Sequence, residues 1–413
     1  MTARVGHATS ASESRGVLVM ISALLLFESS IYSAITPLLP HYERLFHVQK
    51  PAIGLLAASY AAGMIPGALL GGWMAGRGGV RRTTLAGLLV FAVSIAAFGF
   101  GTDLRVLDAL RFVQGGACGL IWGGGLTWAI ALGSRERRGE LIGTVLAAAI
   151  FGSLVGPVIG TLAAVIGTEA VFSLVGAVSI VLATWVMRHD EPPPPERATS
   201  TPLRAALRSP QLRLGFWLIV LEAATIGATS TLIPLHLAAL GASAVAIGCT
   251  FLITSLISTV LSRPVGRLVD RRGPRRLLVI ALTATASLLA LLTLSGSALA
   301  LAAMTVVTLG FPLTAYGTPA MSIMTEASEG SGIALAITTM MFTLAWAFGE
   351  AVGAPTAASL AHATTEAVPL LLLAALMLLT LWPVLRARLT PPKVSPTPSA
   401  ELEATPPRAR SLV

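Results

Sequence analysis

The chain contains 413 residues, of which 54% are hydrophobic and only 11% are charged, and its mean hydropathy is +0.81. A soluble domain carries about a quarter charged residues, so this composition excludes an ordinary soluble protein and indicates a polytopic membrane protein. The formal net charge of +9 would suit nucleic acid, but the arginines cluster between apolar segments, which assigns them to the membrane surface and argues against a nucleic acid partner.

Twelve apolar segments follow one another along the chain, each near the length of about 20 residues that crosses a bilayer core. They span residues 17–40, 51–74, 84–102, 107–132, 141–166, 170–187, 214–240, 245–263, 277–296, 298–323, 332–359 and 367–385. The first segment is too long for a signal-peptide core, so we interpret it as a retained helix. No segment alternates polar and apolar residues as a barrel strand does. The expected fold class is an all-α membrane protein with twelve transmembrane helices.

The longest interruption, residues 188–213, contains a run of four prolines and five arginines and is typical of a surface linker. It predicts an N-terminal six-helix bundle over 1–187 and a C-terminal six-helix bundle over 214–388. The remaining residues, 389–413, are rich in Pro, Ser and Thr and are expected to form a disordered cytoplasmic tail.

The basic residues indicate the orientation. With the N-terminus inside, the predicted cytoplasmic segments hold 24 of the 28 Lys and Arg, and the external loops hold only Arg44, Lys50 and Arg105. The positive-inside rule then places both termini in the cytoplasm. We expect a multi-pass protein of a cell (inner) membrane, and the strong excess of Arg over Lys suggests a bacterial source with a GC-rich genome.

The two halves of the chain repeat. A shift of 194 residues pairs Glu28 with Glu222, Pro40 with Pro234, Gly72 with Gly266, Arg77 with Arg271 and Gly116 with Gly310. Slipping by three more residues pairs Phe151-Gly152-x-x-Val155-Gly156 with Phe348-Gly349-x-x-Val352-Gly353. Two pseudo-symmetric bundles of six helices imply a transport pathway between them near the middle of the membrane.

Four ionisable residues lie deep in the segments: Glu28, Arg111, Glu222 and Glu350. Each costs roughly 2.5–3.5 kcal/mol to insert, so such residues usually face a wet cavity or a partner. Three acids against one base favour cationic or neutral apolar cargo. The structural alternative is that the acids pair with neighbouring helices and that Arg111 pairs with Asp108, three residues earlier in the same helix.

The neighbours of these charges suggest a binding cavity. Glu28 and Tyr32 share one helical face, which would give an organic cation an ion pair and a cation–π contact. Further cavity candidates follow Arg111 along its helix or lie in the late segments: Gln114, Trp122, Trp128, Tyr316 and Trp346. Each aromatic residue among them could equally serve packing or the interfacial belt.

The fifth segment contains a charge-free run of small residues, Gly143, Gly152, Gly156, Pro157 and Gly160, in the pattern G-x8-G-x3-G-P-x2-G. Small residues let helices approach closely and a Gly-Pro step bends a helix, so a packing face is one interpretation. The pattern also resembles the antiporter motif of drug:proton antiporters in the major facilitator superfamily, with Thr161 where that family usually has a second Gly.

Two further motifs resemble that superfamily. The connections at 71–82 and 266–276 are similar to its motif A, which we interpret as a tight glycine turn and a cytoplasmic gate. The gate residues this resemblance implies are Gly72, Arg77, Gly79, Arg81, Gly266, Asp270, Arg271 and Gly273. Gly76 stands where the first copy should have Asp, which leaves Asp270 as the acidic latch. Arg111-x-x-Gln114-Gly115 resembles motif B.

The first helix resembles that of the vesicular amine transporter branch, in which an acid at the position of Glu28 contacts a substrate amine. The resemblance implies a proton-coupled antiporter for multidrug efflux that exports lipophilic cations by alternating access. It also implies that the protein is a monomer in membrane lipid. A proton and a substrate would compete for the same buried carboxylate, because burial disfavours its charged form. The proton gradient supplies the energy, so no cofactor is expected.

Other functions are less well supported. The chain has no phosphate-binding G-x-x-x-x-G-K-[ST] run, no hydrolase motif and no large loop, which argues against an ATP-driven pump or an enzyme. Its two cysteines lie in apolar runs without the spacing of a metal site, so no metal is expected. A symporter or facilitator for a sugar, amino acid or other small metabolite remains the main alternative, and a non-transporting membrane sensor is the second.

Overall fold

A computed structural model describes residues 11–132, 138–190, 209–310, 314–330 and 335–387, and every element in these ranges is helical. The α-helices are α1 Ala11–Ala34, α2 Leu39–Phe46, α3 Lys50–Gly78, α4 Val80–Gly99, α5 Leu104–Ala131, α6 Arg138–Ile166, α7 Thr168–Met187, α8 Pro210–Ala239, α9 Ala244–Arg272, α10 Pro274–Leu292, α11 Ala298–Thr308, α12 Thr314–Gly330, α13 Leu335–Ala363 and α14 Ala367–Arg386. A short 3-10 helix, Thr36–Leu38, joins α1 to α2.

The helices account for the twelve predicted membrane segments. Within the described ranges, nine helical spans are long and apolar enough to cross a membrane, and the first, Ser14–Phe46, takes in α1, the 3-10 turn and α2. Helices α5 and α13 are 28 and 29 residues long, and the tenth segment is divided between α11 and α12. The protein is an all-α membrane protein with the expected helix count.

The interpretation of motif A as a glycine turn is wrong in its extent. Gly72 lies within helix α3, which continues to Gly78, and α9 continues in the same way to Arg272. The turn is a single residue in each half, Gly79 with φ 93° and Gly273 with φ 75°. A positive φ is readily adopted only by glycine, so one glycine per motif makes the turn and the others extend the helix.

The tenth segment, 298–323, is described in two parts. Helix α11 ends at Thr308 and is followed by a π-helical turn at residues 309–310, and α12 begins at Thr314. Residues 311–313 lie outside the described residues, so the continuity of this segment stays a prediction.

The buried hydrophobic residues form two clusters. One runs from Val17 to Val186 and also includes Leu235, and the other runs from Leu212 to Val384. Their limits agree with the halves proposed from the sequence, whose domain boundaries stay a prediction. Most of the proposed linker and the whole proposed tail lie outside the described residues.

The internal repeat is visible in how helices pack. A Cβ added to Gly152 of α6 would overlap the carbonyl oxygen of Leu26 in α1, and one added to Gly349 of α13 would overlap that of Val220 in α8. Leu26 and Val220 are themselves 194 residues apart. The two halves therefore use equivalent glycines to bring equivalent helix backbones together.

We call the helix ends near Lys50 and Glu366 the arginine-poor ends, and those near Arg81 and Arg275 the arginine-rich ends. The halves meet at the arginine-poor ends, where Gly54 of α3 packs on Ala358 of α13. Gly248 of α9 likewise packs on Thr161 of α6. At the arginine-rich ends, five glycines have no heavy atom within 4 Å of an added Cβ: Gly72, Gly76, Gly78, Gly143 and Gly266. The described contacts between halves thus concentrate away from the arginines.

Candidate functional site

Glu28 lies in α1 and is 2% exposed. Its carboxylate accepts a hydrogen bond from the hydroxyl of Tyr60 in α3. It also accepts one from the indole Nε1 of Trp122 in α5 at 2.7 Å. Three helices of the N-terminal half therefore converge on this carboxylate, and the donors offset the cost of burying it.

Glu350 provides the second carboxylate of the site, from α13 in the C-terminal half. It accepts a hydrogen bond from the hydroxyl of Tyr32, which lies one helical turn after Glu28 in α1. The Tyr32 ring lies 5.5 Å from the Tyr60 ring, centroid to centroid. Two tyrosines in contact therefore connect two buried carboxylates that belong to opposite halves.

Arg111 is 2% exposed and lies beside the same tyrosines. Its Cζ sits 4.5 Å from the centroid of the Tyr60 ring, and its Nη1 donates to Oε1 of Gln114 at 3.2 Å. Within the described ranges, neither its Nε nor Oδ1 of Asp108 has a hydrogen-bond partner, and no ion pair joins the two side chains. The structural alternative of an Arg111–Asp108 ion pair is therefore not seen there, and an aromatic face and an amide hold the guanidinium.

Of the remaining cavity candidates, Gln114 and Trp346 lie beside the cluster, whereas Trp128 serves packing. Gln114 is fully buried and donates from Nε2 to the carbonyl oxygen of Ser94 at 3.3 Å, so it positions Arg111. Trp346 adjoins both Tyr32 and Glu350. Trp128 is fully buried with its Nε1 unpaired, which indicates packing.

Glu222 lies apart from this cluster. Its carboxylate packs against the backbone of Gly317 in α12, where an added Cβ would overlap it. The neighbouring Tyr316 donates its hydroxyl to the carbonyl oxygen of Leu218. No hydrogen bond or ion pair among the described residues joins Glu222 to Glu28 or Glu350. The symmetry mate of Glu28 in the sequence is therefore not its partner in space.

The small residues of α6 pack on α1. An added Cβ at Gly152, Gly156 or Gly160 would overlap the α1 backbone or the Ser33 side chain, whereas one at Gly143 would meet nothing. The hydroxyl of Ser33 also donates to the carbonyl oxygen of Ser153 in α6 at 3.0 Å. The glycine motif thus fixes the helix that carries Glu28 and Tyr32.

The motif A arginines bind within their own halves. Nη2 of Arg81 donates to the carbonyl oxygen of Met187 at the end of α7, at 2.6 Å. Its counterpart Arg275 donates to the carbonyl oxygen of Leu385 near the end of α14. The Cζ of Arg77 lies 4.9 Å from the Trp73 ring. The side chain of Asp270, the predicted acidic latch, lies outside the described residues, and Arg271 is exposed.

An ion triad joins the halves at the arginine-poor ends. Glu366, between α13 and α14, accepts from Nζ of Lys50 at the start of α3 and pairs through its other oxygen with Nδ1 of His236 in α8. A cavity of about 50 Å³ lies in the same region, lined by Pro37, Pro40 and Ala242 among others. These contacts close the arginine-poor side of the interface.

The major facilitator superfamily model matches residues 20–350, about four fifths of the chain. The chain belongs to the major facilitator superfamily. Similar relatives are the uncharacterized MFS-type transporters YcaD of Escherichia coli (strain SE11) and Shigella flexneri. Each is 29% identical over 275 residues, which cover 64% of this chain and 69% of the relative.

Solved structures share the fold of this superfamily member. The xylose transporter XylE from E. coli, in a partially occluded inward-open conformation, matches with a TM-score of 0.73 and 14% identity over 92% of this chain and 98% of its own. A mutant of the nucleoside transporter NupG matches with a TM-score of 0.71 and 13% identity, over 90% and 99%. An inward-facing bacterial homolog of the human lysosomal transporter Spinster matches with a TM-score of 0.70 and 15% identity, over 93% and 100%.

As a superfamily transporter, the protein holds its polar cluster between halves that are closed at one end. The sequence reasoning named every member of the cluster except Tyr60. The available signal was its lone polar aromatic ring in an otherwise apolar segment, LLAASYAAG. That signal does not show which way the ring points. Only the packing of α3 on α5 and α13 turns it toward Glu28 and Arg111.

Proposed function

We propose that this transporter is a proton-coupled antiporter that exports lipophilic cationic compounds across a bacterial inner membrane. In this proposal both termini are cytoplasmic, the proton gradient supplies the energy, and the protein acts as a monomer. The arginine-rich ends then face the cytoplasm, as the positive-inside rule requires. A protein closed at its arginine-poor ends would be open toward the cytoplasm, ready to take up cargo for export.

The observation that carries the proposal is the pair of buried carboxylates, Glu28 and Glu350, linked through Tyr32 and Tyr60. With both carboxylates ionised and Arg111 charged, the cluster has a net charge of −1. A cation or a proton can neutralise it, whereas an anion would worsen the balance. The tyrosine rings and Trp122 supply aromatic faces for a lipophilic cation.

Exchange follows from competition at this cluster. A carboxylate that holds a proton has lost the charge that attracts a substrate cation, and a bound cation disfavours protonation. Because Tyr32 bonds to a carboxylate of the opposite half, a change in the charge of Glu350 also changes the contact between halves. Substrate binding and the movement of the halves would therefore be coupled through one hydrogen bond.

The test uses purified protein in liposomes with an imposed pH gradient and cationic, neutral and anionic dyes. We expect gradient-driven movement of cationic dyes, abolished in Glu28→Gln and retained in Glu169→Gln, a matched change at an exposed acid in the first turn of α7. Full gradient-driven export by Glu28→Gln would contradict the competition mechanism. Proton-linked uptake of neutral solutes would favour a symporter instead, and no transport of any kind would favour a sensor.

Glu222→Gln tests whether the third acid acts independently of the cluster. Because Glu222 has no described contact with Glu28 or Glu350, its effect on the free energy of cationic dye binding should add to that of Glu28→Gln. The effects of Glu28→Gln and Glu350→Gln on the same binding free energy should instead be non-additive, since the two carboxylates share one network. Additive effects of the last pair would contradict the proposed coupling.

A further inference from the structure

A groove of about 650 Å³ lies at the arginine-rich end of the C-terminal half, between the start of α10 and the end of α14. Its polar part is formed by Arg272, Arg275 and Arg276, and its apolar part by Val279, Ile280 and Leu385. These arginines belong to the second motif A, 266–276, but neither the gate predicted for that motif nor the buried cluster gives the groove with its apolar wall a role.

The positive charge of the groove is largely uncompensated. All three arginines are exposed, and no acidic residue lines the groove. Arg275 donates to the carbonyl oxygen of Leu385, but Arg272 and Arg276 make no hydrogen bond or ion pair with the part of the chain that the structure describes. Helix α10 begins at Pro274 and is 19 residues long, so the free N–H groups of its first turn add positive potential.

The apolar part of the groove faces outward. Ile280 is 58% exposed and Leu385 is 49% exposed, which in a membrane protein places them against lipid chains. Trp382, one turn before Arg386 in α14, is 62% exposed and lies 4.1 Å from the Cζ of that arginine. An exposed tryptophan stacked by an arginine is typical of the boundary between headgroups and acyl chains.

The groove also opens sideways toward the bilayer. Helices α10 and α14 pack on each other and on other helices of the C-terminal half. The described contacts between halves involve α3, α6, α9 and α13 instead. A lipid could therefore enter the groove from the membrane without crossing the transport pathway.

We propose that this groove is a binding site for an anionic phospholipid, whose phosphate lies among Arg272, Arg275 and Arg276 and whose acyl chains lie along Ile280 and Leu385. Basic grooves at the cytoplasmic boundary of membrane helices suit such headgroups. A phospholipid uses both parts of the groove, whereas a free phosphate would use the arginines alone. The N-terminal half carries only part of the pattern, since Gly78 stands at the position that corresponds to Arg272.

The experiment measures lipid binding to the purified full-length protein by native mass spectrometry, with phosphatidylglycerol, phosphatidylcholine and inorganic phosphate as probes. Each interfacial arginine contributes about a fivefold gain in affinity, so Arg272→Gln with Arg276→Gln should weaken phosphatidylglycerol binding about 25-fold. Arg82→Gln, the counterpart of Arg276 in the other half, should leave it unchanged. Lysine at both positions should restore most of the binding, because the charge is retained.

Three results would overturn the proposal: unchanged binding in the double glutamine variant, equal binding of phosphatidylcholine, or displacement of phosphatidylglycerol by inorganic phosphate at similar concentration. The melting temperature of each variant checks folding. If the double variant is unstable, the single Arg276→Gln change should still give about a fivefold loss, and no loss there would equally contradict the site.

Discussion

Replacing Glu366 with glutamine would remove the charge that pairs with Lys50 across the two halves at the arginine-poor ends, with little change in side-chain volume. The side chains of Lys50 and Glu366 are 26% and 24% exposed. A partly exposed pair contributes about 0.2–1 kcal/mol, and the contact of Glu366 with His236 lies within the C-terminal half and adds nothing across the interface. Loss of the Lys50 pair should shift the equilibrium toward opening of that end by about 1.4- to 5-fold.

The shift can be measured as a distance distribution between spin labels at Phe100 and Leu294, which are exposed at the arginine-poor ends of the two halves. The exposed Cys249 is first replaced by serine. Glu366→Gln should increase the population with long distances, and Lys50→Met should do so to about the same extent, because both remove the same pair. The control is Glu169→Gln, an exposed acid in the first turn of α7 that has no ion pair among the described residues. Wild-type distances in Glu366→Gln would show that the triad does not hold this end closed.

Two further changes test the cluster and the helix that carries it. Tyr32→Phe removes the hydrogen bond to the buried carboxylate of Glu350, so thermal unfolding should show a loss of about 1–3 kcal/mol. The hydroxyl of Tyr42 has no partner among the described residues, so Tyr42→Phe should be nearly neutral, and equal losses in the two variants would contradict the link. Gly156→Leu should separate α6 from α1 and abolish dye exchange, because its side chain would overlap Ser33 and the Ser30 backbone. The side chain of Gly143→Leu would meet no heavy atom within 4 Å of its Cβ, so this variant should retain exchange. Both variants are measured in the liposome assay, and wild-type exchange by Gly156→Leu would refute the packing role.

Much of the architecture could be predicted from the amino-acid pattern, because insertion into a membrane depends on the length and hydropathy of each segment. The helix count and the two-fold repeat needed no tertiary information. The pairing of Gly152 with Gly349 in the sequence predicted equivalent helix contacts, which the structure shows. The cost of a buried charge likewise singled out Glu28 and Glu350 before their neighbours were known.

The local breaks were harder to predict. The glycines of motif A predicted a turn of several residues, but among them only Gly79 and Gly273 adopt a non-helical backbone conformation. In lipid a glycine does not break a helix as it does in water, because an unpaired backbone group costs more there than the lost conformational freedom.

The assembly of the site was decided by tertiary structure alone. Tyr32 and Glu350 are 318 positions apart. The repeat relates Glu28 to Glu222, whereas the cluster is asymmetric and contains Glu350 and Tyr60. Hydropathy determines that a segment crosses the membrane, but lipid and protein interior are similarly apolar, so it does not determine which face of the helix turns inward. That rotation is set by close packing of glycines against neighbouring backbones, and it brings the two carboxylates to the same pair of tyrosines.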